Sequence, residues 1–183
     1  MIAFTGDLLS RRRGETALRV ALGRLRARHG LFAVLGNHDI AEAHELLGSA
    51  LLRDSSQTFE ARGRLVQVAG CDPHEWKGRR IERLADPEAD LRILLAHFPD
   101  VVGRLPSGVF HLILAGHLHG GQICLPTPGG KVCLAHVRAP YWEGLHQTPA
   151  GTLYVSRGLG TTFVPFRLLA RPEATKLILR PSA

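Results

Sequence analysis

The sequence predicts a mixed-sheet α/β sandwich, and three observations carry that prediction. In the first part of the chain, apolar runs of strand length alternate with amphipathic segments of helix length. In the later part, short apolar runs bounded by glycine and proline predict mostly strands. Polar side chains gather directly after several apolar runs, where open α/β sheets place their functional sites. A chain in which strands first alternate with helices and later follow one another is expected to form a mixed sheet rather than a purely parallel one.

The predicted elements are a strand at 2–5, a helix at 15–28, a strand at 31–35, a helix at 41–47, strands at 57–61 and 64–69, a short helix at 81–84, and strands at 91–96, 109–115, 123–125, 153–156 and 176–179. The long helix is predicted from apolar residues spaced three and four apart. Asp39 is expected to cap the helix at 41–47. Gly63 marks the turn of a β-hairpin.

At 183 residues the chain has the length of a single domain, which we assign to residues 1–183. Hydrophobic residues make up 45% of the sequence and charged residues 21%, as in an ordinary globular protein. No apolar run reaches the length of a membrane span, and no signal peptide opens the chain. The expected location is therefore the cytoplasm.

The formal net charge of +7 raises nucleic acid or an anionic membrane as partners. The excess is nearly all arginine and is scattered, and the one basic run of three is at residues 11–13. Aromatic residues are sparse and do not alternate with basic ones, so no base-stacking surface is visible. We therefore do not expect nucleic acid as a dedicated partner, and an arginine-driven nucleic-acid binder is the third hypothesis for function.

The cysteines Cys71, Cys124 and Cys133 are odd in number and have no Cys-x-x-Cys spacing. They predict neither a zinc ribbon nor a disulfide framework. Cysteines used in this way indicate a reducing compartment.

The most informative stretch is Gly116-His117-Leu118-His119, which follows the apolar run at 109–115. Two histidines one residue apart, just past a strand, aim two imidazoles at neighbouring points. Imidazole is a common metal ligand at neutral pH. The alternative is a polar loop that carries two histidines by chance.

Four predicted strand ends carry side chains of the same chemistry: Asp7, Asn37 with His38, His97, and His117 with His119. Parallel strands of one sheet bring such ends together. A carboxylate, an amide oxygen and imidazoles form a ligand set that suits Mn, Fe, Zn or Co. A carboxylate can bridge two ions and an imidazole cannot, so Asp7 is the natural shared ligand. Taken singly, each motif has an ordinary alternative: a turn, a helix cap or a buried histidine.

An ordered series of motifs resembles that of the calcineurin-like metallophosphoesterase superfamily: Gly6-Asp7, Gly36-Asn37-His38-Asp39, His97 and Gly116-His117-Leu118-His119. Two further segments, Gly120-Gly121-Gln122 and Ser156-Arg157-Gly158-Leu159-Gly160, resemble a bacterial branch whose members often carry an N-terminal membrane anchor. The resemblance covers essentially the whole chain. It implies a four-layer α-β-β-α sandwich of two mixed sheets between helices, with a two-metal site at the strand ends.

The resemblance also implies a ligand set for two divalent transition-metal ions. Asp7 would bridge both ions, and His119 would bind the second. Asn37, His97 and His117 would complete the first. Two such ions polarise phosphoryl oxygens, hold a nucleophilic hydroxide and offset developing negative charge, so the implied substrate is a phosphate ester.

The same resemblance gives His38 a catalytic role rather than a metal-binding one. His38 would protonate the leaving oxygen or stabilise its charge, with Asp39 setting the orientation of its ring. An imidazolium near the phosphate adds acid catalysis at neutral pH.

One departure from the family series concerns the start of the chain. The series begins with an Asp-x-His motif on a strand before Gly6-Asp7, and nothing in this sequence matches it. The resemblance thus implies an N-terminally truncated domain that lacks a strand and a helix. Either Met1 is an internal residue of a longer protein, or the truncation is genuine and leaves a weakened enzyme or a non-catalytic relative. The first explanation is favoured because the remaining motifs are intact.

The leading hypothesis for function is a phosphoesterase that hydrolyses a phosphomonoester or phosphodiester through a dinuclear metal centre. The alternative is a non-catalytic binding module that keeps the fold without a working centre. A longer form with a membrane anchor would associate with a membrane. The motifs do not reveal the substrate, the metal or the oligomeric state.

Overall fold

Ten strands, two α-helices and several short 3₁₀ segments form the computed structural model, which describes residues 1–74, 76–77, 80–133, 135 and 139–180. The strands are β1 (Ile2–Thr5), β2 (Leu31–Val34), β3 (Ser55–Ala61), β4 (Arg64–Gly70), β5 (Leu91–Leu95), β6 (Leu112–Ala115), β7 (Cys124–Thr127), β8 (Gly130–Cys133), β9 (Gly144–Thr148) and β10 (Gly151–Val155). The helices are α1 (Glu15–Arg24) and α2 (Ala41–Leu47). The 3₁₀ segments are Arg12–Gly14, Gly48–Ala50, Ile81–Leu84, Pro99–Arg104 and His119–Gly121.

The larger of the sheets is mixed, as predicted. Its strand order is β3-β4-β5-β6-β10-β9, with β4, β5, β6 and β10 parallel to one another. Antiparallel hairpins close both edges, because β3 pairs with β4 and β9 pairs with β10. A small parallel sheet of β1 and β2 and a separate β7–β8 hairpin complete the described strands.

The main core lies between the two sheets and follows the two-residue period of the strands. Phe32 and Val34 of β2 pack with Val68, Ile93 and Leu95 of the larger sheet. The alternate residues of β4 and β5 belong to a second cluster on the outer face of that sheet. Burial on both faces explains why these strands read as continuous apolar runs in the sequence.

Helical segments cover the outer faces of both sheets, so the α/β sandwich prediction is confirmed. Ala43 and Leu47 of α2 pack with Ala33 of the small sheet, and α1 contributes partly buried leucines to the same cluster. The outer face of the larger sheet is covered by the 3₁₀ segments Ile81–Leu84 and Pro99–Arg104. Among the described residues, no helix has the length and apolar character needed to cross a membrane.

Several element boundaries differ from prediction for local reasons. The helix α1 ends at Arg24 rather than at residue 28, and the guanidinium of Arg26 donates to the carbonyls of Gly23 and Leu25 just past its end. The predicted strand at 176–179 is wrong. Those residues form no ladder within the described part of the chain, and Ile178 is 66% exposed.

The prediction that the cysteines form no disulfide is also wrong. Cys124 and Cys133 lie directly opposite each other in the β7–β8 hairpin and form a disulfide, and Cys71 is a free buried thiol. Residues separated by nine positions become cross-strand neighbours only once the hairpin register is known. The cysteines therefore no longer argue for a reducing compartment.

Candidate metal centre

The loops that follow β1, β2, β5 and β6 meet at one edge of the sandwich. Nε2 of His97, after β5, lies 2.9 Å from Oδ1 of Asn37, after β2. The same nitrogen lies 3.1 Å from Nδ1 of His117, after β6, and 3.5 Å from Oδ2 of Asp7, after β1. The structure thus brings together Asp7, Asn37, His97 and His117, all predicted as metal ligands.

Two glycines allow these loops to approach so closely. A Cβ atom on Gly36 would lie 2.0 Å from Oδ1 of Asp7, and one on Gly6 would lie 2.5 Å from Nδ1 of His97. Gly6 also has a φ of +96°, which side chains rarely tolerate. The glycines before Asp7 and Asn37 are therefore required by the contact between the loops.

Asp39 links two of the loops through its carboxylate. Oδ2 accepts the backbone N–H groups of Asp7 and Gly36 at 2.8 Å, and Oδ1 accepts that of Leu9 at 2.7 Å. The prediction that Asp39 caps α2 is wrong, because the next residue is the N-cap and no side chain caps that helix. None of the hydrogen bonds among described residues joins Asp39 to the ring of His38, so the orienting role stays a prediction.

The backbone of β1 fixes the tautomer of His97. The carbonyl oxygen of Thr5 lies 2.7 Å from Nδ1, and because a carbonyl only accepts, Nδ1 carries the proton. The side chain of His97 is 1% exposed, and burial lowers its pKa although the charge of Asp7 opposes that shift. The neutral ring therefore aims the lone pair of Nε2 at Asp7, Asn37 and His117.

The second carboxylate oxygen of Asp7 is buried and has no hydrogen-bond partner among the described residues. Oδ1 accepts the backbone N–H of His38 at 2.9 Å, whereas the lone pair of His97 Nε2 faces Oδ2. The Asp7 carboxylate, the Asn37 amide oxygen and the His97 imidazole converge around this buried oxygen, and a cation between them would offset the repulsion of their lone pairs. This donor set fits a divalent transition metal.

The loops that carry the predicted ligands are conformationally strained. Four non-glycine residues have left-handed backbone: φ is +57° at Asp7, +69° at His117, +52° at His119 and +49° at Gln122. Each such residue costs on the order of 1–3 kcal/mol, and surrounding contacts must hold it. Such residues are common at functional sites, although four others lie elsewhere in the described chain: Asp54, Arg62, Phe163 and Leu169.

His38 lies beside the ligand cluster, on the wall of a cleft of about 400 Å³ that we call the first cleft. His38 is exposed, and its ring meets the edge of Phe163 at a centroid distance of 6.3 Å. His117 and His119 line the same cleft. The imidazole of His38 is therefore accessible to a ligand held at the cluster.

His119 is the predicted ligand that the structure does not bring into the cluster. Its Nε2 lies 3.1 Å from Oγ1 of Thr162, and its Nδ1 lies 3.4 Å from the carbonyl oxygen of Gly160. Burial lowers the pKa of His119, which favours the neutral ring. Its assignment to a second ion stays a prediction.

The sequence predicted no role for the side chains that hold the His119 loop, although Gln122 lies in one of the family-like segments. The buried amide of Gln122 accepts the N–H of Thr162 and donates to two carbonyls of the same segment. Arg167 donates to the carbonyl of His119 at 2.9 Å. The signal in the sequence was position, because Thr162 and Arg167 closely follow the glycine-rich segment at 157–160.

An α/β sandwich with carboxylate, amide and imidazole ligands at its strand ends is typical of metal-dependent hydrolases. The chain belongs to the metallophosphoesterase family. It is 34% identical to the metallophosphoesterase YkuE of Bacillus subtilis (strain 168) over an alignment of 197 residues. The alignment covers 98% of this chain and 68% of that protein. The expected membership of the calcineurin-like superfamily is thereby supported, whereas the assignment to one bacterial branch stays a prediction.

Two further comparisons agree with that assignment. The chain is 31% identical over 159 residues to the phosphodiesterase YaeI of Escherichia coli (strain K12), covering 81% of this chain and 57% of that protein. A structure named as a 5′-nucleotidase of Staphylococcus aureus in complex with alpha-ketoglutarate matches with a TM-score of 0.50 and 13% identity. The match covers 91% of this chain and 42% of that one, and shows a shared fold alone. No family model matches the sequence.

Proposed function

We propose that this chain hydrolyses a phosphomonoester or phosphodiester with the help of divalent transition-metal ions. The observation that carries the proposal is the buried, unpartnered Oδ2 of Asp7 beside the lone pair of His97 Nε2. Such an arrangement costs folding free energy and is explained by a cation. A relative named as a phosphodiesterase favours a phosphate ester as the substrate.

Asp7, Asn37, His97 and His117 would hold one ion, and Mn, Fe, Zn or Co suit their oxygen and nitrogen donors. We extend the proposal to a dinuclear centre in which Asp7 is shared and His119 binds the second ion. When bound, such ions polarise phosphoryl oxygens, activate water and offset negative charge that develops in the reaction.

His38 would act as the acid that protonates the leaving oxygen. Its side chain is exposed in the first cleft, and its backbone N–H donates to Oδ1 of Asp7, which fixes its position next to the cluster. Asp39 would support this geometry through the backbone, because it links the loop of Asp7 to the loop that carries His38.

A non-catalytic binding module is the second candidate. It is favoured by His119, whose two ring nitrogens lie near Thr162 and Gly160 rather than in the cluster. A chain that holds a single ion lacks the second cation that neutralises the phosphate and positions the nucleophile.

Hydrolysis of bis(p-nitrophenyl) phosphate and p-nitrophenyl phosphate, after loading with Mn or Zn, tests the proposal. We expect metal-dependent turnover that a chelator removes and that is greatly reduced in His38→Gln. His44→Gln is the matched control, because His44 lies on α2 in the outer layer. Metal binding that needs Asp7 without turnover of either ester would favour the non-catalytic candidate.

A further inference from the structure

A second cleft, of about 870 Å³, also borders the ligand cluster. It shares His117 and Leu118 with the first cleft, and its remaining described wall is different. Besides His117, its described wall carries His74 and the two cations Lys77 and Arg104. The two clefts therefore approach the same histidine with different chemistry, since the lining surface of the first is mostly apolar.

Two of the cations in the second cleft are positioned by one aromatic ring. Nζ of Lys77 lies 5.7 Å from the ring centroid of Trp76, and Cζ of Arg104 lies 5.4 Å from it. Trp76 is 8% exposed and belongs to the core on the outer face of the larger sheet. Arg104 also donates to the carbonyl of Lys77 at 3.0 Å. Cation–π contacts with a buried ring restrict both side chains.

A single aromatic residue connects these cations to the ligand cluster. The ring of Phe98 stacks on Trp76 at a centroid distance of 5.9 Å. The same ring meets His117 at 4.6 Å and His97 at 5.0 Å, both edge to face. A continuous series of ring contacts thus links the two cations to the ligand cluster.

The charge in this cleft is not balanced within the described residues. Lys77 and Arg104 form no ion pair with any described carboxylate, and Asp100 is the one acidic residue of the described wall. The planar guanidinium of Arg104 has the geometry for two hydrogen bonds to a phosphate, and the ammonium of Lys77 adds a point charge. These are the groups that bind phosphate.

We infer that the second cleft binds a further phosphate group of the substrate. The inference rests on the proposed function, which puts the scissile phosphate at the ligand cluster. The substrate class is then a phosphodiester in which one of the two alcohols carries another phosphate. Lys77 and Arg104 recognise that second phosphate and so set specificity.

Binding of two matched nucleotides tests this inference without relying on turnover. The probes are thymidine 3′,5′-bisphosphate and thymidine 5′-monophosphate, titrated into the full chain. The sequence has two tryptophans, and the substitution Trp142→Phe leaves only Trp76. The fluorescence of Trp76 then reports on the second cleft directly. We expect the bisphosphate to bind about tenfold more tightly, because two partly solvated ion pairs each contribute a few-fold.

The variant Lys77→Ala/Arg104→Ala should remove the preference for the bisphosphate. Its control, Arg24→Ala/Arg28→Ala, loses the same charge on and just after α1, in the outer layer of the small sheet, and should keep the preference. Near-UV circular dichroism checks that Trp76 remains packed. If it does not, Lys77→Gln/Arg104→Gln keeps the side-chain stems and replaces the alanine pair.

Equal affinity of the two probes, or no binding of either, would overturn the inference. A preference that survives loss of Lys77 and Arg104 would also overturn it. These outcomes are separate from failure of the proposed function. Hydrolysis of simple esters without a bisphosphate preference removes the inference alone, and a preference without hydrolysis removes the proposed activity alone.

Discussion

The carbonyl oxygen of Thr5 lies 2.7 Å from Nδ1 of His97 and joins the last residue of β1 to the loop after β5. The contact crosses between the two sheets, so the orientation of His97 depends on the small sheet and not only on its own strand. Thr5 pairs with Val34 in that sheet, two residues before Gly36. The small sheet therefore positions ligand atoms as well as burying apolar surface.

Asp7→Asn is expected to raise the stability of the metal-free chain while removing metal binding. The amide keeps an acceptor for the N–H of His38 and replaces the buried, unpartnered Oδ2 with a donor that faces Nε2 of His97. Relief of about 1 kcal/mol would raise the melting temperature by about 2–4 °C. Calorimetry with and without Mn or Zn measures both effects.

Asp90→Asn is the control for that change, because both oxygens of Asp90 have partners in Arg64 and the N–H of Leu65. It should not raise the melting temperature, and it should leave metal-induced stabilisation unchanged. A lower melting temperature for metal-free Asp7→Asn, with metal binding retained, would contradict the assignment of Asp7.

His38→Gln and His117→Gln should have opposite effects on metal content. His38 is exposed in the first cleft outside the ligand atoms, so its replacement should lower turnover by about 10²- to 10⁴-fold with metal content nearly unchanged. His117→Gln should lose metal and turnover together, because Nδ1 of His117 lies 3.1 Å from Nε2 of His97. Elemental analysis of desalted protein separates the two. Loss of metal from His38→Gln would show that the roles are assigned wrongly.

Asp39→Asn should destabilise the chain and weaken metal binding, because one carboxylate accepts three backbone N–H groups. An amide presents a donor to at least one of those groups, and loss of a charge-assisted hydrogen bond costs about 1.5–3 kcal/mol. Denaturant unfolding and metal titration measure the two effects. Glu42→Gln on the neighbouring helix is the control, since Glu42 pairs with the exposed Arg12 and should contribute less than about 1 kcal/mol. Equal effects of the two substitutions would rule out this role for Asp39.

The secondary-structure elements that could be predicted are those that the local sequence pattern determines. The helix at 41–47 and the strand at 2–5 have the predicted bounds, because their apolar spacing and bounding residues lie within one short window. The convergence of Asp7, Asn37, His97 and His117 was also predictable, because each follows an apolar run and parallel strands align such ends.

The features that were predicted wrongly depend on partners that are distant in the sequence. Asp39 has the sequence context of a helix cap, but its carboxylate reaches N–H groups about thirty residues away, at Asp7 and Leu9. Residues 176–179 have the composition of a strand, and composition does not reveal whether a neighbouring strand is present. Cys124 and Cys133 became a pair only through the register of their hairpin.

Arg167→Lys should loosen the segment that follows the glycine-rich loop. The guanidinium donates to the carbonyls of Arg157, Gly160 and His119 at 2.5–2.9 Å, and a lysine cannot reproduce that planar fork. We expect faster amide exchange in this segment and around His119, with little change in the strands of the larger sheet. Arg171→Lys, at an exposed position nearby, is the control. Unchanged exchange in Arg167→Lys would contradict a positioning role for Arg167.

Thiol counting should distinguish the cysteines by their environment. Cys71 is 2% exposed, and burial, together with the charges of Asp54 and Asp72, raises the pKa of its thiol to about 12. Because the raised pKa keeps the thiol protonated, very little thiolate is present at pH 8. The native chain should therefore show no fast reaction with Ellman's reagent, since the thiolate is the nucleophile.

Unfolding without a reductant should expose one reactive thiol, and unfolding after reduction should expose three, because Cys124 and Cys133 are joined in the native hairpin. Cys71→Ala should show no thiol in the first case and two in the second, which assigns the free cysteine. Reduction should also act on the ligand loop, because a Cβ atom on Gly121 would lie 2.3 Å from Cβ of Cys133, so the disulfide packs directly against that backbone. We expect faster amide exchange at Gly121 in the reduced chain, since opening the disulfide releases the hairpin that supports it. Three thiols in the unreduced, unfolded chain would show that Cys124 and Cys133 are not paired.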